Sequence, residues 1–311
     1  MAFRDVYREQ VMLLIRSLPF VAEENCFALK GGTAINLFIR NMPRLSVDID
    51  LTYVPVHDRD ESLEAIDGAM KRIAGNIRKS MNDARVNEGQ LQPEGKVTKL
   101  VVSAKQVQTK IEVTPVSRGC VYDPETRAVS EAVEEAFGFA EISVVSFADL
   151  YAGKIVAALD RQHPRDLFDA RDLLRNEGID NLLRRAFIVY LLGHNRPMAE
   201  VLRADRKDIA LAFERGFDGM TDMPFALGEL VTAREDLIAD IVGNMPDDHR
   251  QFLIGFERGK PEWKLLGLPA AAELPAVRWR QQNLAKLDEK QRGALADQLE
   301  SVLHGQYRPH G

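Results

Sequence analysis

Residues 30–51, "KGGTAINLFIRNMPRLSVDIDL", hold the pattern that decides the fold of this chain. Two glycines, Gly31 and Gly32, stand between a short apolar run and a segment of helical periodicity. Fourteen residues past Thr33 an alternation begins, Val47-Asp48-Ile49-Asp50-Leu51. Period-two alternation marks a half-buried strand, and residues i and i+2 of a strand share a face. Asp48 and Asp50 therefore project together, while Val47, Ile49 and Leu51 point into the core. Two carboxylates this close repel, and each is pushed towards its neutral form unless a cation sits between them. A hard divalent ion, magnesium above all and manganese as the alternative, suits such a pair. The glycines let backbone N–H groups approach a ligand, and they feed a helix start whose unpaired N–H groups favour phosphate. Thr33 adds a hydroxyl donor. Each piece also has a plainer reading. A D-x-D arises often by chance, and G-G-T is an ordinary strand-to-helix turn with Thr33 as its cap.

Around this stretch the chain reads as an α/β half followed by an all-helical half, with domains at 1–145 and 146–311. An amphipathic helix spans 5–17, "CFALKGG" gives a short strand and "TAINLFIR" a helix. Residues 59–82 are helical, and "KVTKLVVSA" and "TKIEVTPV" are two further strands. After residue 145 helical periodicity takes over. "FADLYAGKIVAALD" starts behind a capping-box-like Ser146 and Asp149, and Pro164 opens "PRDLFDARDLLRNEG", stopped by Gly178.

Length and composition narrow the class. With 311 residues, 45% hydrophobic and 28% charged, the chain is an ordinary globular protein with a sizeable core. A net charge of -6 excludes a generally basic nucleic-acid-coating protein. Two cysteines, Cys26 and Cys120, make no disulfide framework or zinc site and read as partly buried thiols of a reducing compartment. The N-terminal apolar run, Val11 to Ile15, is too short for a signal peptide, and no stretch is long enough to span a bilayer, so a cytoplasmic protein is expected.

A third carboxylate, Glu112, alternates with Ile111 and Val113 on what should be a neighbouring strand. Asp48, Asp50 and Glu112 around magnesium, beside a glycine turn for phosphates, describe a centre for in-line displacement at phosphorus. In the helical half, Lys154 and Arg161 are seven apart on one helix face, and Arg165, Asp166 and Asp169 follow within one turn. Read alone, these are an exposed salt-bridge ladder. Arg184, Arg185, Arg196, Arg203, Arg206 and Lys207 concentrate positive charge that can track an RNA backbone, though a solvated helix face is the plainer reading. None of the six histidines pairs at metal-ligand spacing, and His163 reads as a loop residue before proline.

The combination resembles the polymerase-β-like nucleotidyltransferase fold, in which a Gly-Gly or Gly-Ser turn precedes D-x-D. It resembles more closely the AbiEii/AbiGii toxin family of bacterial abortive-infection toxin–antitoxin systems. The added likeness lies in "KIVAALDRQHPRDLFDARDLL", with Lys154, Arg161, Arg165, Asp166, Asp169 and Leu173, and in "EWKLLGLPAAAELPAVRWRQQNL". The resemblance runs from residue 27 to about 285, and Glu112 stands where many relatives have aspartate. It implies Mg²⁺-dependent transfer of a nucleoside monophosphate from an NTP to an acceptor hydroxyl, with tRNA 3′ ends as the acceptor. It implies a helical domain closing the cleft, and a separately encoded antitoxin that need not form a stable complex. On this reading Asp48, Asp50 and Glu112 hold metal. Gly31, Gly32, Thr33, Lys154, Arg161, Arg165 and Asp166 bind the nucleotide, and Asp169 positions Lys154 or helps activate the attacking hydroxyl. Two other readings stand beside it: transfer to a protein hydroxyl, and a nucleotide-binding regulatory module without turnover.

Overall fold

The alternating run becomes the middle strand of a seven-stranded mixed sheet from Asp48 onward, with Val47 just outside it and only half-buried. The computed structural model describes residues 5–217, 219–221 and 224–305. In chain order the first elements are α1 (Asp5–Ala22), β1 (Phe27–Lys30), α2 (Gly31–Thr33, continuing as a π-helix over Ala34–Ile39) and β2 (Asp48–Tyr53). Next come α3 (Arg59–Ser80), β3 (Ala84–Leu91), β4 (Lys96–Ala104), β5 (Val107–Val113), β6 (Glu125–Ala128), α4 (Glu131–Phe137) and β7 (Glu141–Val144). The sheet order is β3-β4-β5-β2-β1-β7-β6. β2 runs parallel to β5 and antiparallel to β1.

Register sorts the two faces of this sheet. Ile49 and Leu51 of β2 stand opposite Ile111 and Val113 of β5, and all four are buried. Helix α3 packs on β3 and β4, and α1 packs on β5 and β7. Each such apolar side chain contributes about 1.5–3 kcal/mol on leaving water. The residues between them, Asp48 and Asp50 on β2 and Lys110 and Glu112 on β5, share the other, less buried face. The alternation in the sequence thus becomes a core face and a polar face.

Three strands escape sequence patterning. β3, "ARVNEGQL", and β6, "ETRA", are the two edges of the sheet, and of their residues only Val86 is buried. Strands with no hydrophobic alternation to show are identified by their partners alone. The third, β7, is short at four residues.

The chain divides into two compact units, Met1–Ser146 with Asp218–Phe225 and Phe147–Phe217 with Ala226–Gly311. A boundary at 145 and 146 misses the returning segment 218–225. That segment belongs to the first unit, where the Leu45 N–H donates to the Met220 carbonyl at 2.8 Å and Arg44 forms a β-bridge with Thr221.

The second unit is helical. It contains α5 (Phe147–Asp160), α6 (Pro164–Asn176), α7 (Asn181–Leu192), α8 (Met198–Arg203) and α9 (Ala210–Gly216). α10 (Leu227–Ile238), α11 (Asp247–Glu257), α12 (Trp263–Leu266), α13 (Pro275–Ala285) and α14 (Glu289–His304) follow. His163 is more than a loop residue here: it caps α6, its Nδ1 accepting the Arg165 N–H at 3.2 Å, with Pro164 in the first turn. No helix among the described residues is long and apolar enough to cross a membrane.

Candidate functional site

The polar face of the sheet brings the residues of the glycine turn and the D-x-D strand together. Gly31 has φ +76°, a left-handed conformation that only glycine adopts freely. A Cβ placed there would lie 2.6 Å from Asp50 Oδ2, so the carboxylate rests against the bare Cα of the turn. A Cβ on Gly32 would meet Arg44 Nη2 at 2.7 Å and Ser46 Oγ at 3.0 Å. Arg44 is fully buried and donates to the Leu45 carbonyl at 3.0 Å, so a guanidinium sits behind the turn. The two glycines are therefore required for close approach by the protein's own groups, before any ligand is considered.

Thr33 takes a role inside the protein. Its buried hydroxyl donates to the Asp48 carbonyl at 2.5 Å and lies 3.0 Å from Ser46 Oγ, whose own proton can point back to it. The expected phosphate donor is thus a latch between α2 and the start of β2. What Thr33 has left to offer an anion is its backbone N–H in the first turn, where helices carry N–H groups without intrahelical partners.

Across the strands a charged row forms: Lys30 of β1 opposite Asp50 of β2, Asp50 opposite Glu112 of β5, and Glu112 opposite Lys99 of β4. Asp48 stands opposite Lys110 one step away. Glu112 is level with Asp50, but its carboxylate pairs with Lys99 at 3.2 Å. Among the described residues no three His, Cys, Asp or Glu side chains gather as a metal cage. The expected third ligand is on the right face and pairs with a lysine, and Asp48 and Asp50 are two hard oxygen donors on one strand face. That pair fits a divalent cation. Burial pushes the Lys30 ammonium below its usual range, and Asp50, Cys120 and Glu112 partly offset the shift. Lys30, Lys99, Arg44 and Ser46 were not expected from the sequence, because cross-strand register and the fold behind the turn bring them in.

The second cluster lies wholly within the helical unit. Lys154 of α5 is clamped between two carboxylates of α6, Asp166 Oδ1 and Asp169 Oδ2, each at 2.9 Å. The three side chains are 8%, 1% and 0% exposed, which rules out the exposed ladder for them. Arg161 adds bonds from Nε and Nη2 to Asp166 at 2.5 and 3.0 Å, with its own side chain mostly in solvent. Burial alone would raise the Asp166 carboxyl, but Lys154 and Arg161 hold it well below the usual carboxylate range. Asp166 is too enclosed to touch a ligand and instead positions two cations. Asp169 likewise positions Lys154. Arg165 lies at the start of α6, partly exposed.

Most of the remaining basic residues are matched by acids. Arg184 pairs with Asp240 at 2.8 Å, Arg196 with Asp160 and Glu200, Arg203 with Asp205 at 3.1 Å and Arg206 with Glu235 at 2.6 Å. Lys207 Nζ donates to the Asp160 carbonyl at 2.7 Å. This charge is largely paired within the protein, and Arg184 is buried rather than on a solvated face. Cys26 and Cys120 are in no disulfide with each other, and both are partly buried. Burial, followed by Glu24, pushes the Cys26 thiol up to about 11, which makes it a poor nucleophile.

Comparison with known proteins identifies the family and the fold. Residues 13–283 match the sequence profile of the family described as nucleotidyl transferase AbiEii toxin, type IV TA system. The fold is similar to that of MenT4, a nucleotidyltransferase toxin from Mycobacterium tuberculosis H37Rv, with a TM-score of 0.57 and 18% sequence identity. That likeness covers 96% of this chain and 93% of the other. No curated protein sequence matches. The chain belongs to the AbiEii family, the nucleotidyltransferase toxins of type IV toxin–antitoxin systems, and so implies an NTP substrate and an antitoxin partner.

Proposed function

We propose that this protein transfers a nucleoside monophosphate from an NTP to an acceptor hydroxyl at the 3′ end of tRNA, releasing pyrophosphate. The observation that carries the reading is the seat of Asp50 over Gly31, which joins a pair of carboxylates to a helix start in one compact arrangement. Asp48 and Asp50 would hold a divalent cation, magnesium or manganese, with Glu112 as the third candidate on the same face. Such an ion supplies charge neutralisation and a fixed template for the attacking and leaving oxygens.

The chain's own residues do the rest. Gly31, Gly32 and Thr33 present backbone N–H groups to the phosphates, and the Thr33 latch keeps α2 and β2 at a fixed spacing. Lys154 is proposed as a second requirement for transfer: Asp166 and Asp169 hold its charge in one place, so little reorganisation is needed as negative charge builds on the leaving group. Arg161 and Arg165 supply further positive charge from the same pair of helices.

The test is incubation of purified protein with radiolabelled NTPs, total tRNA and lysate protein, with and without divalent metal. Label in the tRNA 3′ end supports the proposal. Label in protein moves the acceptor to a protein hydroxyl. Nucleotide bound but never transferred makes the protein a regulatory binding module and defeats the proposal.

A further inference from the structure

We propose that Lys30 is a further nucleotide-binding residue, its ammonium receiving a phosphate of the incoming triphosphate beside the glycine turn. The inference rests on the transfer reading above and names a residue which that reading does not use. Lys30 is the last residue of β1 and the N-cap of α2, so its side chain leaves the backbone where the first-turn N–H groups begin. It stands opposite Asp50 in register, on the face that carries Asp48 and Glu112.

The three lysines of this face are not equivalent. Lys99 is tied to Glu112 at 3.2 Å, and Lys110 stands opposite Asp48, one register step further from the turn. The Lys30 ammonium has no hydrogen-bond or ion-pair partner among the described residues. Lys30 is half-buried, and the fields of Asp50, Cys120 and Glu112, rather than a direct contact, answer its charge. A half-buried charge without a direct partner gains from an arriving anion. A cation shared by Asp48 and Asp50 would take up the charge of Asp50 and leave Lys30 with still less compensation. A triphosphate is the ligand that supplies it, since the same nucleotide must lie against the glycine turn.

The experiment measures equilibrium binding of the α,β-methylene analogues of the four NTPs, which cannot be transferred, in the presence of Mn²⁺. Lys30→Met keeps the apolar stem and removes the charge. It should weaken analogue binding by roughly ten- to hundredfold, the scale of one hydrogen bond to a charged group. Lys30→Arg should restore part of the affinity. Mn²⁺ affinity without nucleotide, read by electron paramagnetic resonance, should stay level or tighten, because a competing cation has gone.

Analogue binding by folded Lys30→Met equal to the wild type overturns the inference. In the wild type, saturating analogue should also shield Lys30 from acylation, followed by mass spectrometry. Unchanged labelling overturns the inference even where the methionine variant does not fold. The two failures are separable. Wild-type protein that binds no analogue defeats the transfer reading itself. Binding that is lost in Asp48→Ala but intact in Lys30→Met removes only the role of Lys30.

Discussion

Gly31→Ala tests the join between turn and strand most directly. At φ +76° an alanine pays the left-handed penalty of roughly 1–2 kcal/mol. Its Cβ would also sit 2.6 Å from Asp50 Oδ2 and 3.3 Å from Asp50 Cβ, so the aspartate must move. Overpacking of this kind costs about 1–3 kcal/mol. Against these stands a gain of about 0.4–1 kcal/mol from the smaller freedom of alanine in the unfolded chain. The net expectation is a loss of about 1–5 kcal/mol, measured by urea denaturation. Transfer should fall by roughly a hundredfold, the scale set by a displacement near 1 Å in a reacting constellation. The Asp50→Ala background separates the two causes: there the contact with the carboxylate is absent and the backbone cost remains. An identical loss in both backgrounds would show that Asp50 does not rest on the turn. A Gly31→Ala protein with wild-type stability and transfer would refute the whole account of this corner.

Asp48→Ala should abolish transfer and toxicity while leaving the urea midpoint nearly unchanged, and an active variant would sink the role of the carboxylate pair. Thr33→Val removes the donor to the Asp48 carbonyl and should cost about 1–3 kcal/mol, with a shift in transfer rate larger than that in NTP affinity; denaturation and single-turnover assays read both. Lys154→Ala leaves Asp166 and Asp169 buried together without their cation, so the helical unit should lose about 3–5 kcal/mol as well as activity. A stable but inactive Lys154→Ala protein would show that the buried clamp is not structural.

Asp166 also makes the acid limb of stability predictable. Its folded carboxyl titrates below the unfolded value, so its ionised form stabilises the fold above the ordinary carboxylate range of about 4. That contribution is lost as the pH falls from there through the lowered folded value. Asp166→Asn should lower stability at pH 7 and flatten the acid loss between pH 4 and pH 2. Equal acid sensitivity in the two proteins would contradict the pairing with Lys154 and Arg161.

The sequence by itself determined what depends on local period and on backbone permissiveness. Alternation at 47–51 is enough to put Asp48 and Asp50 on one face, since side chains of a strand alternate whatever its neighbours are. Gly31 is legible because the left-handed turn before a helix excludes other residues. The extents of β4 and α5, and the start of α6 at Pro164, follow from hydrophobic period and Pro placement alone. Tertiary structure decided everything set by pairing between distant segments. Only register could bring Lys30, Asp50, Glu112 and Lys99 into one row, and so reveal that Glu112 is answered by a lysine. Of the edge strands β3 and β6 only Val86 is buried, so little alternation announces them. Only the packing of α5 on α6 buries Lys154 between Asp166 and Asp169, because a spacing of residues along helices fixes their direction but not what covers them.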